Sequence, residues 1–557
     1  MTDPTNPLIV QSDLSVLLEV ASARAGEARQ QLAAFAELET APEHVHTYRI
    51  TPLSLWNAAV SGLTADDIVD TLVTFAKYPV PPTVEREVHD LVGRYGRVWL
   101  ARVPEGLVLV SDDPLVLDEL AGVRTVGELL GRRLDEHRFA VDDRDRGALK
   151  QALLASGWPA ADEAGFETGM PLGTVSLRAE LRDYQRDALD AWWRDGDETG
   201  GNGVVVLPCG AGKTVVALAA LVATGTHTLV VCTSVSSVRQ WIRETLAKTS
   251  IDPDDVGEWS GERKQLRPLT FVTYQSLSWA DPAAPADADV FRRHPHLDLF
   301  SQIGWGLVVY DEVHLLPAPV FRATARVQAI RRLGLTATLV REDKREGDIF
   351  ALIGPKRYDV PWSEIEAQGW IAPASCTEIR VPLGAATRAV YAATEPKLRH
   401  RVAATATEKL AIAEELVARH DGEQVLVIGQ FLEQLEAVAA RLDAPLLTGR
   451  TGQTTRDKLF ARMRAGDLRV LVVSKVANFS TDLPEVSVAI QLSGQYGSRQ
   501  EEAQRLGRIL RPKADGGGAS FYTIVADGTE EVTHARNRQR FLAEQGYTYS
   551  IVDADPA

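Results

Sequence analysis

At 557 residues, with 45% hydrophobic and 24% charged side chains, the chain is too long for one core and too apolar to be disordered. Its formal net charge of −16 excludes a surface coated in basic residues, though a local basic groove would still take nucleic acid. Three scattered cysteines, Cys209, Cys232 and Cys376, exclude a zinc finger or an all-cysteine iron–sulfur cluster, and two of them read as small buried hydrophobes in strand-like runs.

Residues 1–96 read as an N-terminal helical domain. LIVQSDLSVLLEV near residues 8–20 is a short strand or extended segment, and ARAGEARQQLAAFAELE has helical spacing. Thr51 and Pro52 open PLSLWNAAVSG. Thr64, with Asp66 and Asp67, opens TADDIVDTLVTFAKY, which Pro79, Pro81 and Pro82 end, and Thr83 opens TVEREVHDLVGRYG. Short helices packed together, winged-helix-like and without chemistry of their own, are expected, with His44, His46 and His89 as surface or core residues. Residues 97–170 read as a small α+β domain. GRVWLARV and GLVLVSD alternate like a strand pair joined through Pro104, Glu105 and Gly106, while LVLDELAG, VGELLGRRL and ALKQALLASG look helical. The polar, Gly-rich run from Ala160 to Gly173 reads as a linker.

From Ser176 onward, apolar strands alternate with helices, the pattern of parallel α/β domains. LRDYQRDALDAWW leads in, with Gln185 expected to read an adenine edge and Arg182 to frame the pocket. VVVLPCGAGKT, Val204 to Thr214, then gives an apolar strand, a turn (Pro208, Cys209, Gly210, Ala211, Gly212) and a helix opening at Lys213 and Thr214. This is the strand, loop and helix of a phosphate-binding P-loop. The glycines let backbone N–H groups converge on phosphate oxygens, Lys213 neutralises charge, and the Thr214 hydroxyl can ligate Mg²⁺. Leu207 stands where the full pattern has its first glycine. After the next strand, the hydroxyls of SVSSVRQWIRETL suit a nucleic-acid phosphate, and N-capping explains them equally well. PLTFVTYQSLS is a further strand ending at Thr273 and Tyr274.

LVVYDEVH, Leu307 to His314, delivers Asp311 and Glu312 to a strand's C-terminal edge, where open α/β sheets bind ligands. Asp311 is expected to hold Mg²⁺ through water and Glu312 to act as base, with His314 connecting the site to a second domain. Thr336 and Thr338, at the end of another strand, are expected to serve as a coupling element between ATP and DNA. A second α/β set begins near Val425, and its late helix EEAQRLGRILR carries Gln504, Arg508 and Arg511. Spacing i, i+3 keeps both arginines on one face, from which they could reach a γ-phosphate held by the first domain.

These residues resemble the superfamily 2 helicases, and within them the XPB family in its bacterial form. TATLVRED places the family's Arg–Glu–Asp triplet at Arg341, Glu342 and Asp343, and IGPKRYDVPW, SKVANFSTDLP and GSRQEEAQRLGRILR are shared strings over roughly residues 176–540. The resemblance implies two RecA-like parallel-sheet motor domains, 171–365 and 366–557, with ATP and Mg²⁺ in the cleft between them and a short thumb-like insertion near 388–407. It gives the first 170 residues a helical and a damage-recognition-like role. It places Asp482 in an acidic role beside Ser480, where other helicases carry glycine, and Thr273, Tyr274 and His314 in DNA contact or coupling. The Asp-Glu-Val-His form weighs against the RNA-remodelling branch. An ATP-dependent 3′-to-5′ DNA helicase acting in repair or DNA opening is therefore expected, on single-stranded and duplex DNA with weak sequence preference and beside a repair nuclease or other protein. The alternatives are a duplex translocase that separates no strands and a nucleotide-gated scaffold recruiting a nuclease or transcription factor. With neither a leader sequence nor an apolar span of about 18 residues, a soluble, cytoplasmic, nucleoid-associated protein without membrane contact is expected.

Overall fold

The computed structural model describes residues 3–41, 44–197, 199–208, 210–285, 287–328, 330–337, 346–360, 362–370, 374–474, 486–493, 518–544 and 549–554. The amino-terminal segment carries the expected helices Ala25–Leu32, Pro52–Val60, Ala65–Phe75 and Pro82–Arg94. Thr51 and Thr64 cap the second and third by accepting the amides of Ser54 and Asp67. It also carries an antiparallel sheet, in the order Leu8–Val10, Ser15–Glu19, Val45–Arg49, Glu37–Thr40, so it is not purely helical. The helix expected through AELE stops at Leu32. Leu38 is buried between exposed and half-exposed neighbours, and it pairs with a strand that buries His46 and Tyr48, so tertiary pairing overrides the helical propensity of Glu, Leu and Ala.

In the next segment Val98–Val103 and Gly106–Ser111 pair antiparallel, at the middle of a five-stranded sheet. Part of VGELLGRRL departs from expectation: after the four-residue helix Arg124–Gly127 the chain becomes the strand Leu130–Asp135, hairpinned onto Arg138–Val141. The run read as a linker is docked. Ala161–Asp162 adds a parallel edge strand beside Trp99 and Leu100, and Asp162 receives Arg146 Nη2 at 2.6 Å and Lys150 Nζ at 2.8 Å. All three side chains are nearly water-free, and Lys150 continues to Gln328 Oε1 at 2.9 Å, tying this sheet to the domain that follows.

Two seven-stranded, all-parallel sheets make up the rest. The first runs Val256–Trp259, Leu269–Thr273, Thr228–Cys232, Leu307–Asp311, Arg331–Thr336, Asn202–Val206, Lys356–Asp359. The second runs Leu446–Leu447, Val470–Ser474, Val425–Gly429, Val488–Gln491, Ala519–Ala526, Ala374–Val381, Tyr549–Asp553. Their central strands are mostly apolar and buried, as strands covered on both faces must be. Cys232 and Cys376 are buried inside them, neither in a disulfide. Near 388–407 the chain forms a helical hairpin, Ala385–Ala393 and Pro396–Ala404. Its basic residues are engaged: Arg401 pairs with Glu433, Lys397 with Glu395, and Arg399 Nε donates to Thr394 O. Among the described residues no helix is long and apolar enough to cross a membrane.

Asp162→Ala would leave the Arg146 and Lys150 charges buried without their carboxylate. It is expected to cost about 3–5 kcal/mol, against at most about 1 kcal/mol for Asp359→Ala in its exposed pair with Lys356, read as denaturation midpoints side by side.

Candidate active site

The strand order builds the site. Arg331–Thr336 lies between the strand that feeds the P-loop and the strand that ends in the acidic pair, with Val206 opposite Thr336 and Asp311 opposite Leu335. Residues 99 positions apart therefore meet: Lys213 Nζ lies 3.0 Å from Glu312 Oε1, both nearly buried. Gly210 and Gly212 turn the loop at φ +85° and +84°, a conformation glycine adopts without steric cost. The helix Lys213–Thr224 starts immediately after, with Thr214 half-buried in its first turn.

Gln185 and Tyr184 brace this loop. Gln185 Nε2 and the Tyr184 hydroxyl each donate to Ala211 O at 2.8 Å, and Gln185 Oε1 accepts the amide of Arg182. A Cβ on Gly212 would meet Gln185 Nε2 at 2.5 Å, so a side chain there would displace this brace. Gln185 is 3% exposed and holds the turn. Arg182 stacks over the Trp370 ring at 4.2 Å and donates to Tyr184 Oη.

On the acidic side, Glu312 takes a left-handed backbone at φ +48°, a strained choice for a non-glycine residue and one that concentrates at functional sites. The turn sends Glu312 toward Lys213, while Asp311 accepts Trp241 Nε1 at 3.0 Å and the Ser237 hydroxyl at 3.4 Å. Burial pushes the Asp311 carboxyl up to about 6, and the neighbouring Glu312 charge adds to that. Burial pushes Glu312 the same way, but Lys213 and then His314 outweigh it and hold its carboxyl below the ordinary range. His314 Nδ1 lies 2.6 Å from Thr336 Oγ1 and 3.6 Å from Glu312 Oε2. The P-loop lysine, the acid, the histidine and the threonine at the strand end thus form one cluster.

Several side chains at this edge are engaged within the domain. Ser234 caps its helix by accepting the Ser237 amide, and Ser237 turns to Asp311, so capping and the acid account for these hydroxyls. Thr273 caps the short helix Tyr274–Leu277, and the Tyr274 hydroxyl donates to Asp311 O at 2.9 Å. Both are buried, as are His314 and Thr336, so none offers a surface to DNA in this conformation. Trp241, which donates to Asp311, is a partner of the acid that sequence reasoning missed. Cys209, Thr338, Arg341, Glu342, Asp343, Asp482, Gln504, Arg508 and Arg511 lie outside the described residues.

The donors present suit a magnesium–triphosphate complex. Asp311 and Glu312 share one buried pocket with a single partnered lysine, so the carboxylate at Asp311 is left in excess, and the available ligands, carboxylate and hydroxyl, are hard oxygens.

Residues 365–556 match the family model of the ERCC3/RAD25/XPB C-terminal helicase, and residues 178–341 that of the type III restriction enzyme res subunit. Residues 8–135 match a helicase conserved C-terminal domain, although here they fold as the first antiparallel sheet and part of the second. The chain is 53% identical to the DNA 3′-5′ helicase XPB of Mycobacterium tuberculosis over all of this chain and 99% of that one. It is 54% identical to the protein of the same name from Kineococcus radiotolerans, over all of this chain and 97% of that one. It is 34% identical to the general transcription and DNA repair factor IIH helicase/translocase subunit XPB of Antonospora locustae, over 98% of this chain and 82% of that one.

The raised Asp311 carboxyl has a consequence for stability. The folded protein holds this proton more tightly than the unfolded chain does, so stability falls as pH rises from the ordinary carboxylate value of about 4 through about 6, and the cost is complete above that. Asp311→Asn keeps an acceptor for Trp241 and removes that cost. In nucleotide-free protein it is expected to be more stable than wild type by on the order of 1–3 kcal/mol at about pH 7.5, the gap closing as pH falls through about 6 toward 4 in thermal melts.

Proposed function

The chain belongs to the XPB family of DNA helicases, and from that membership we propose that it couples ATP hydrolysis to 3′-to-5′ movement along DNA, opening duplex as it goes. The observation that carries the proposal is the 3.0 Å contact between Lys213 and Glu312 beside Asp311, which unites a phosphate-neutralising lysine with a base and a metal-holding acid. Lys213 and the loop Pro208–Thr214 would bind the triphosphate of ATP, and Thr214 with Asp311 would hold Mg²⁺, the latter through water. When bound, Mg²⁺ would neutralise charge on the phosphate oxygens. Arg182 would frame the nucleotide pocket.

The chain's own electrostatics supply a gate. While Lys213 is paired with Glu312, the carboxylate is held acidic and is a weak base. A triphosphate that draws Lys213 away removes the largest influence opposing burial, so the Glu312 carboxyl rises toward the range useful for orienting and deprotonating water. His314 lies beside this carboxylate and meets Thr336, and the two would pass its change of state toward the second domain. Asp482, Gln504, Arg508 and Arg511 would complete the site from there, the arginines meeting the γ-phosphate when the domains close. Thr338, Arg341, Glu342 and Asp343 would act at the DNA side of the same strand end. Because phosphate-backbone contacts carry no base information, sequence preference would be weak.

Lys213→Ala and Glu312→Gln are each expected to lower DNA-stimulated ATPase turnover by roughly 100-fold or more while leaving the circular dichroism spectrum unchanged. Turnover would be measured with no polymer, single-stranded DNA, duplex DNA and RNA, and unwinding on a 3′-tailed duplex beside triplex displacement. Wild-type turnover in either variant, or stimulation by RNA alone, would remove the assignment.

A further inference from the structure

An aromatic ladder stands at the same edge of the first parallel sheet, outside the nucleotide site. The Trp279 and His296 rings are stacked, with centroids 5.3 Å apart and planes 28° from parallel. The Trp259 ring meets His296 edge-on at 6.3 Å, and Lys264 Nζ sits over Trp259 at 4.9 Å. The ladder is pinned from behind. The His296 ring nitrogen Nδ1 donates to Ser276 O at 2.8 Å, and His294 Nδ1 donates to Ser278 O at 2.8 Å and toward Trp279 O at 3.3 Å. Both histidines thus hold the turn that carries Trp279, while the indole itself remains 47% exposed.

Single exposed apolar residues are ordinary and need no explanation. This one differs in being held: one face is backed by an imidazole, and the backbone beneath is fixed by two imidazole anchors. A rigid aromatic face with a cation at the far end of the ladder has the chemistry that accepts an unpaired nucleobase. Arg263, Lys264 and Arg267 are exposed on the segment that follows Trp259. Among nearby acids, Glu262 pairs with Arg239, Asp289 caps the Phe291 amide and pairs with Arg326, and Asp281 caps the Ala283 amide. The position also fits a strand-tracking protein, since Trp259 and Thr273 end adjacent parallel strands and the Tyr274 hydroxyl reaches the Asp311 carbonyl.

We propose that Trp279, backed by His296, is a stacking shelf for a base of single-stranded DNA. The proposal rests on the DNA-tracking function above and extends it: the first motor domain grips bases as well as phosphates, at one fixed point.

The test uses the full chain and two fluorescent probes, an oligothymidylate of about 20 nucleotides and a strand of equal length in which the bases are absent, at one salt concentration. Trp279→Ala is expected to weaken binding of oligothymidylate roughly 10-fold or more and of the abasic strand less than about 2-fold, whereas Trp279→Phe stays near wild type. Thermal melts of both variants report folding independently. Equal loss on both probes, or no loss on oligothymidylate, overturns the shelf while leaving the helicase function standing. Wild-type protein that binds neither probe overturns both.

Discussion

The ion pair between Lys213 and Glu312 is what allows two adjacent carboxylates to sit in a buried pocket. Two like charges side by side away from water would drive one of them to protonate. Here the single lysine divides them: Glu312 is held ionised, and the cost of burial falls on Asp311. That division depends on strand order, because the pair forms only when Arg331–Thr336 separates the loop-bearing strand from the acid-bearing one by a single strand's width. The left-handed Glu312, the His314 contact with Thr336 and the double clamp of Tyr184 and Gln185 on Ala211 all serve to hold that one contact in register.

The parts of the site visible in the sequence are those written contiguously. A buried strand running into Gly210, Gly212 and Lys213, and another running into Asp311 and Glu312, carry their chemistry within a few residues of their structure. The parts not visible depend on partners far along the chain. Trp241 recurs with Val238 and Thr245 at helical spacing and reads as core; only its indole N–H, which needs an acceptor when buried, hinted at a polar partner 70 residues away. Gln185 is legible as a residue of the helix before the P-loop, but its bond to Ala211 O is not, since nothing local shows that this carbonyl would claim it. The same holds for the fold. Parallel sheets announce themselves as apolar runs, whereas Glu37–Thr40 and Leu130–Asp135 are short, polar on one face and strands only because a neighbour pairs with them.

Burial of Thr273, Tyr274, His314 and Thr336 changes what coupling can mean here. Groups sealed inside the sheet edge cannot touch a nucleic acid in this conformation, so any influence they have on it passes through what they hold. Tyr274 holds the Asp311 carbonyl by its hydroxyl and begins the turn that runs to Trp279. The Ser276 carbonyl in that turn receives His296, and His296 backs the exposed indole. The route from the acidic strand to the surface is therefore one side-chain hydrogen bond, one turn of helix and one imidazole.

A route this short is rigid at each step, and rigidity alone transmits nothing unless one end has two states. The carboxylate pair supplies them. Glu312 with Lys213 and Glu312 without it differ in charge balance inside a pocket where burial already opposes ionisation, so the lysine's departure alters the load on Asp311, whose carbonyl anchors Tyr274. The same event reaches Thr336 through His314, and Thr336 ends the strand that leads toward Arg341, Glu342 and Asp343. One electrostatic change at a lysine is thereby led to two separate points of the sheet edge, Tyr274 and Thr336. That is the minimum a stepping motor needs, since one grip must loosen while another holds.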